Sequence, residues 1–175
     1  MTDEKLIEKI KKNPDAFGEV IDRYQKKLAR YIFYLIGDKN EVLDLVQEVF
    51  IKVYINLNGF NPKKKFSSWI FRIAHNLAVN YLKKKKKVFP LNEEIKLSDE
   101  KNIEDDLAKK ELEKVLQKCL NDLPINYKEI IVLYYFENLS YEEISDSLKI
   151  PPGTVAVRLS RAKKYLKTLC QKQKI

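Results

Sequence analysis

Trp69, Arg72, Asn76, Asn80 and Lys83 recur at spacings of three, four, four and three, which places all five on one face of a helix. The set combines a ring that can stack on a base, amides that can read base edges, and cations that can meet phosphates. Single-stranded DNA binding needs those groups. Asn is a poor helix former, so two on one face need a reason beyond propensity. The competing reading is a solvated surface with the tryptophan turned into a core, the commoner fate of that residue. Lys63, Lys64 and Lys65 make the preceding loop cationic, and Lys83 to Lys87 follows as an unbroken five-lysine run. That run is either a frayed basic helix end or a clamp on a nucleic-acid backbone.

A second constellation lies near the C-terminus. Thr154, Arg158, Arg161 and Tyr165 lie away from the apolar stripe Val155, Leu159, Ala162, Leu166 and Leu169. Lys163, Lys164 and Lys167 add charge. Just upstream, Ser140 and Glu143 have capping-box spacing and start a short helix that buries Ile144 and Leu148. Lys149-Ile150-Pro151-Pro152-Gly153 cannot continue that helix, so a second one restarts near Pro152. Leu139 to Leu169 therefore reads as a helix-turn-helix whose basic second helix suits the DNA major groove. A solvated basic helix in an all-α domain is the alternative.

A third face carries Asp44, Gln47 and Glu48 with Ile51 and Ile55. The three polar residues alone suit a solvated surface. Two β-branched residues beside them suit a protein-docking surface, with an apolar centre and charged surroundings, or packing beneath another helix.

Other chemistry finds no support. His75 is the only histidine, so a multi-histidine metal site is excluded, and four glycines leave no phosphate-cradling loop. No nucleophile–base arrangement is visible, so no stand-alone enzyme and no cofactor are expected. Cys119 and Cys170 lack CxxC spacing and read as reduced, buried or bystander thiols of a cytoplasmic protein. No apolar run approaches bilayer-spanning length, so no membrane insertion is expected. The net charge of +9 favours an anionic partner, nucleic acid before membrane.

The elements that must position these residues are helices. Leu6, Ile7 and Ile10 suggest a short first helix, interrupted at Asn13-Pro14-Asp15. Phe17 to Leu35 carries a sustained stripe that Gly37-Asp38 stops, and Asn40 can cap the next helix, Glu41 to about Leu57. Asn58 to Pro62 is a loop, and Ser67 or Ser68 can cap a helix running towards Lys87. Its core stripe is Ile70, Ile73, Ala74, Leu77 and Tyr81. After Val88 the composition flips: Glu93 to Glu113 holds nine acidic residues and four lysines. Most of it reads as a flexible linker, with order returning near Leu107. Ile130 to Phe136 has strand-like composition, but no second convincing strand exists to pair with it, so a buried helix is expected. The expected fold is all-α: two small helical domains, 1–87 and 107–175, joined by a flexible linker at 88–106.

This order of features resembles the bacterial sigma factors of the extracytoplasmic-function (ECF) group. The likeness is carried by Asp44-Leu45-Val46-Gln47-Glu48-Val49-Phe50, by Phe66-Ser67-Ser68-Trp69-Ile70-Phe71-Arg72-Ile73-Ala74-His75-Asn76, by Leu139-Ser140-Tyr141-Glu142-Glu143-Ile144, and by Pro152-Gly153-Thr154-Val155 with Arg158 and Arg161. Each motif is modest alone, but four in this order are very specific. The resemblance implies a factor that binds RNA polymerase core and directs promoter-specific transcription initiation. It implies that Asp44, Gln47, Glu48, Ile51 and Ile55 dock on the β′ clamp coiled coil, and that the second domain meets the β flap. It implies that Lys63, Lys64, Lys65, Trp69, Arg72, Asn76, Asn80 and Lys83 hold the minus-ten element as a single strand. Thr154, Val157, Arg158, Ser160, Arg161 and Lys164 would read the minus-thirty-five element as duplex. Control by an anti-sigma protein is also implied. Ala156 departs from the pattern, since many relatives carry Lys or Arg there, and the three-lysine loop is more basic than most. A helix-turn-helix repressor or activator is the main rival, but it leaves the Ile51/Ile55 and Trp69/Asn76/Asn80 faces without a role.

Overall fold

The computed structural model describes residues 1–88 and 107–173, and all regular elements among them are helical. Helix α1 (Asp3–Lys12) is capped by Thr2 and buries Leu6, Ile7 and Ile10. A short 3₁₀ turn leads into α2 (Gly18–Ile36), which ends at Gly37 in the left-handed conformation that favours glycine (φ 69°). Helix α3 (Lys39–Ile55) starts two residues earlier than expected. Its cap is Asp38, whose carboxylate accepts the Asn40 N–H at 3.1 Å, so Asn40 is capped rather than capping.

Helix α4 (Phe66–Val88) carries the tryptophan and both asparagines. Its start also differs from expectation. Ser67 and Ser68 already lie inside the helix; Ser67 donates its hydroxyl to Glu143 and Ser68 is buried. Ile70, Ala74 and Leu77 are buried as the stripe predicts, while Ile73 and Tyr81 pack only partly against the core. The linker expected at 88–106 lies outside the described residues apart from Val88, which closes α4.

The second half opens with α5 (Leu107–Asn121) and α6 (Ile125–Ile131). The ambiguous apolar run is helical, and its last five residues, Val132–Phe136, form a π-helical turn closed by Glu137 N–H to Val132 O at 3.1 Å. Helix α7 (Tyr141–Leu148) begins with the complete Ser140/Glu143 capping box and ends at Lys149 in the left-handed region (φ 57°). Helix α8 (Pro152–Gln173) buries Val155, Leu159 and Ala162 against the rest of the half.

One cysteine expectation is overturned. Cys119 on α5 and Cys170 on α8 are joined as a disulfide with their Cα atoms 5.6 Å apart, although 51 residues separate them in sequence. Spacing along the chain could not reveal a pairing created by the packing of two helices.

The two halves are in contact. Helix α7 lies on α4 and α6 lies on α2, and one continuous set of buried side chains runs through both halves. The contact is rich in polar groups. Tyr31 donates its hydroxyl to Glu129, and His75 Nδ1 lies 2.6 Å from the same oxygen. An ionised carboxylate at this point accepts from both groups. Arg30 grips Glu137 with Nε at 2.8 Å and Nη2 at 2.9 Å, and Nη2 also reaches Phe136 O at 2.8 Å.

Candidate nucleic-acid interface

The tryptophan–asparagine face stands over a cavity of about 580 Å³ between α3 and α4. Trp69, Asn76 and Asn80 supply its α4 wall; Lys52, Ile55 and Asn56 supply the α3 side. Trp69 is neither fully buried nor free. Its ring packs beside Phe60 (5.3 Å) and Phe66 (5.8 Å), which fixes its orientation, and the remainder faces the cavity. Asn76 and Asn80 are exposed. Gly59 forms part of the rim, and a Cβ there would meet nothing within 4 Å, so the opening is not crowded. The site thus offers an aromatic edge, amides and a cation around a space open to solvent.

Arg72 and Lys83 fall outside the cavity walls; Arg72 is half-buried and Lys83 exposed. Lys63, Lys64 and Lys65 are exposed on a tight turn built by Asn61. Its Oδ1 accepts the Lys63 N–H at 2.9 Å and its backbone oxygen accepts the Lys64 N–H at 3.0 Å. Lys64 is not free: its Nζ pairs with both Asp146 oxygens at 2.9 Å.

On α3 the expected docking residues are all exposed: Asp44, Gln47, Glu48, Ile51 and Ile55. Ile51 is 57 % and Ile55 71 % exposed, so packing beneath another helix does not explain them. Gln47, Ile51 and Ile55 line an apolar groove of about 650 Å³, joined by Phe17, Leu43 and Tyr54. Asp44 and Glu48 lie outside its lining, and Glu48 is 3.8 Å from Lys52. Ile55 borders both the groove and the cavity.

On α8, Val157, Ser160, Arg161 and Lys164 are exposed, and Thr154 and Arg158 are partly so. Val155, Leu159 and Ala162 turn the other way, into the core. The helix therefore presents a polar, cationic face from its first turn onward.

Residues 20–88 match the family Sigma-70 region 2, and residues 113–166 match Sigma-70, region 4. The ECF RNA polymerase sigma factor SigW of Bacillus subtilis is 34 % identical, over 93 % of this chain and 94 % of its own. The ECF RNA polymerase sigma-E factor of Haemophilus influenzae is 33 % identical, over 98 % and 96 %. The chain belongs to the ECF sigma factors. As an ECF sigma factor it binds RNA polymerase and directs transcription initiation at specific promoters. The fold agrees with solved structures. CnrH, solved in complex with the cytosolic domain of CnrY, superposes with a TM-score of 0.73 at 24 % identity, covering 97 % of each chain. RpoE of Bartonella quintana, solved with the anti-sigma factor NepR, gives 0.73 at 22 %, covering 89 % of this sigma factor and 96 % of its own chain. Among the described residues no helix is long and apolar enough to cross a membrane.

Two groups escaped the sequence reading of this sigma factor. Lys52 and Asn56 border the cavity from α3, a helix whose own pattern points to a different surface. Glu129, Glu137, Glu143 and Asp146 meet the first half across the contact. Nothing local marks them, because their partners lie 54 to 107 residues away.

Proposed function

We propose that the three faces divide promoter recognition between them. The cavity beside Trp69, Asn76 and Asn80 takes one extruded base of the minus-ten element, with the Lys63–Lys65 turn and Lys83 along the strand's phosphates. The observation that carries this reading is the cavity itself. It is open to solvent, bordered by an oriented indole and two amides, and preceded by three exposed lysines. Unstacking a base costs a few kcal/mol, offset by stacking and hydrogen bonds in such a pocket. Thr154, Val157, Arg158, Ser160, Arg161 and Lys164 read the minus-thirty-five duplex, each well-placed base contact discriminating by about 1–3 kcal/mol.

The groove beside Gln47, Ile51 and Ile55 receives the β′ clamp coiled coil, with Asp44 and Glu48 giving charge specificity at its border. The second domain, 107–175, meets the β flap. An anti-sigma protein silences the factor by covering these surfaces, as suggested by the two complexes in which similar folds were solved. The chain contributes binding and strand capture, and no covalent step; it works in the cytoplasm, where its polymerase and promoters are.

The test is transcription in vitro with bacterial core polymerase on a promoter library. Promoter-specific transcripts are expected from the native chain. They should vanish with Asp44→Ala through lost core binding, and with Asn76→Ala/Asn80→Ala through lost melting at unchanged core binding. Salt-sensitive duplex binding without any transcript would move the reading to an operator-binding regulator.

A further inference from the structure

We infer that Cys119 and Cys170 form a reversible thiol–disulfide site, oxidised by low-molecular-weight disulfides, whose state decides how firmly the DNA-reading helix α8 is held. The inference rests on two parts of the preceding reading, work in the cytoplasm and duplex recognition by α8. Cellular reductants keep cytoplasmic thiols reduced, and the disulfides that do form there are mostly transient and redox-sensing. The packing of α5 on α8 keeps this pair matched: the Cα atoms stand 5.6 Å apart, within the span a disulfide bridges. The two sulfurs differ in access. Cys119 is fully buried, whereas Cys170, near the end of α8, is partly exposed. Lys167 lies one turn before Cys170 on the same helix, where a positive charge favours the thiolate against the negative helix end.

The exchange balances within its reactants. The Cys170 thiolate attacks one sulfur of a small disulfide such as glutathione disulfide, breaks its S–S bond and expels one thiolate. Cys119 then attacks Cys170 Sγ in the mixed disulfide, closes the Cys119–Cys170 bond and expels the second thiolate. Two protein thiols are oxidised, one small disulfide is reduced, and the protons of the two cysteines end on the two departing thiols. Reduction runs the same steps backward. The consequence follows from which helices the bond joins. Among the described residues α8 is the one helix on which α5 packs broadly. Helix α8 rests on α5, α6 and α7, and its reading residues Thr154 to Lys164 share one continuous helix with Cys170. The bond spans 51 residues of chain that include all of α6 and α7 and most of α8. Closing a loop of that length removes much of the freedom of the unfolded second half and so stabilises the folded one. Oxidation fastens α5 to the end of α8; reduction leaves that seam to side-chain packing alone. A reading helix held in place beforehand loses less freedom on the duplex, so the oxidised chain binds it more tightly.

The experiment uses the full chain, reduced with dithiothreitol or oxidised with glutathione disulfide, beside the variant Cys170→Ala, which cannot close the bond. Thiol trapping under denaturing conditions, read by mass spectrometry, should find both cysteines free in the reduced chain and neither in the oxidised one. An excess of reduced glutathione should free both again. Oxidation should raise the melting temperature by about 10 °C. It should also tighten binding to a labelled, mixed-sequence DNA duplex several-fold by fluorescence anisotropy. Cys170→Ala should behave as the reduced chain in either buffer, which separates the bond from other effects of the oxidant. In bacteria expressing the chain, trapping after an acid quench should find it reduced during growth and oxidised after a brief dose of a thiol oxidant. A glutathione adduct on Cys170 without ring closure overturns the site. A bond that reduced glutathione leaves intact, or one present throughout growth, makes the pair a permanent staple and overturns the reversibility. Interconversion at unchanged melting temperature and duplex affinity overturns the hold on α8. If Arg158→Ala/Arg161→Ala leaves duplex affinity unchanged in both redox forms, α8 is not the reading helix, and the inference falls with that reading even where the thiols interconvert.

Discussion

At Glu129 one buried carboxylate oxygen is shared by a phenol from α2 and an imidazole from α4. Burial, then the neighbouring Glu129, pushes the Tyr31 hydroxyl well above the usual tyrosine range. The sign follows directly. A group whose pKa is raised by folding adds stability that is full below its unfolded value, about 10, and is lost as pH climbs towards the folded value. Stability measured by denaturant titration should therefore fall as pH rises past about 10. Tyr31→Phe should cost about 1–2 kcal/mol at neutral pH, with a gap to the native chain that narrows in alkali. Asn80 offers the complementary test on the strand. It is exposed at the cavity wall, so Asn80→Ala should weaken single-strand binding several-fold by anisotropy and leave the melting temperature unchanged. That the two asparagines share one exposed face was legible from their helical spacing. The role of Tyr31 was hidden, because its pattern is that of an ordinary core tyrosine and its acceptor lies 98 residues away.

Helix α7 shows how much local sequence can decide. Ser140 and Glu143 announce the cap in the sequence, and both arms of the box form, at 3.2 and 2.9 Å. Glu143 has a second duty, since its other oxygen accepts from Ser67 of α4. Ser140→Ala should cost about 1 kcal/mol of stability in urea titrations, and it should loosen the seat on α4 as well. Helix α3 is legible in a different way. Its double stripe separates the buried Val42, Val46, Val49 and Val53 from the exposed Ile51 and Ile55. Ile51→Arg should leave helicity intact by circular dichroism and lower affinity for core polymerase by tenfold or more, since an apolar anchor near the centre of an interface is worth about 2 kcal/mol or more. What the stripe could not show is that the end of α3 also borders the strand cavity. Periodicity reports which face is apolar, and it is silent on which neighbouring helix stands opposite.

Across the whole molecule the sequence reading divided the chain correctly into two helical halves and did not foresee that they touch. The flip in composition after Val88 marks a boundary, yet composition says nothing about pairing across it. The polar pairs of the contact follow no periodic pattern, so no stripe advertised them either. With one continuous core and a shared ion-pair network, the native chain should unfold by calorimetry as a single transition. Arg30→Ala/Asp146→Asn should resolve two, one for each half. The tether itself has a further consequence. Two segments of one chain meet at an effective concentration fixed by their covalent connection, however few molecules a cell contains. Contact between the halves is then insensitive to the abundance of the chain. Making more of the chain does not by itself change the share in which the halves meet.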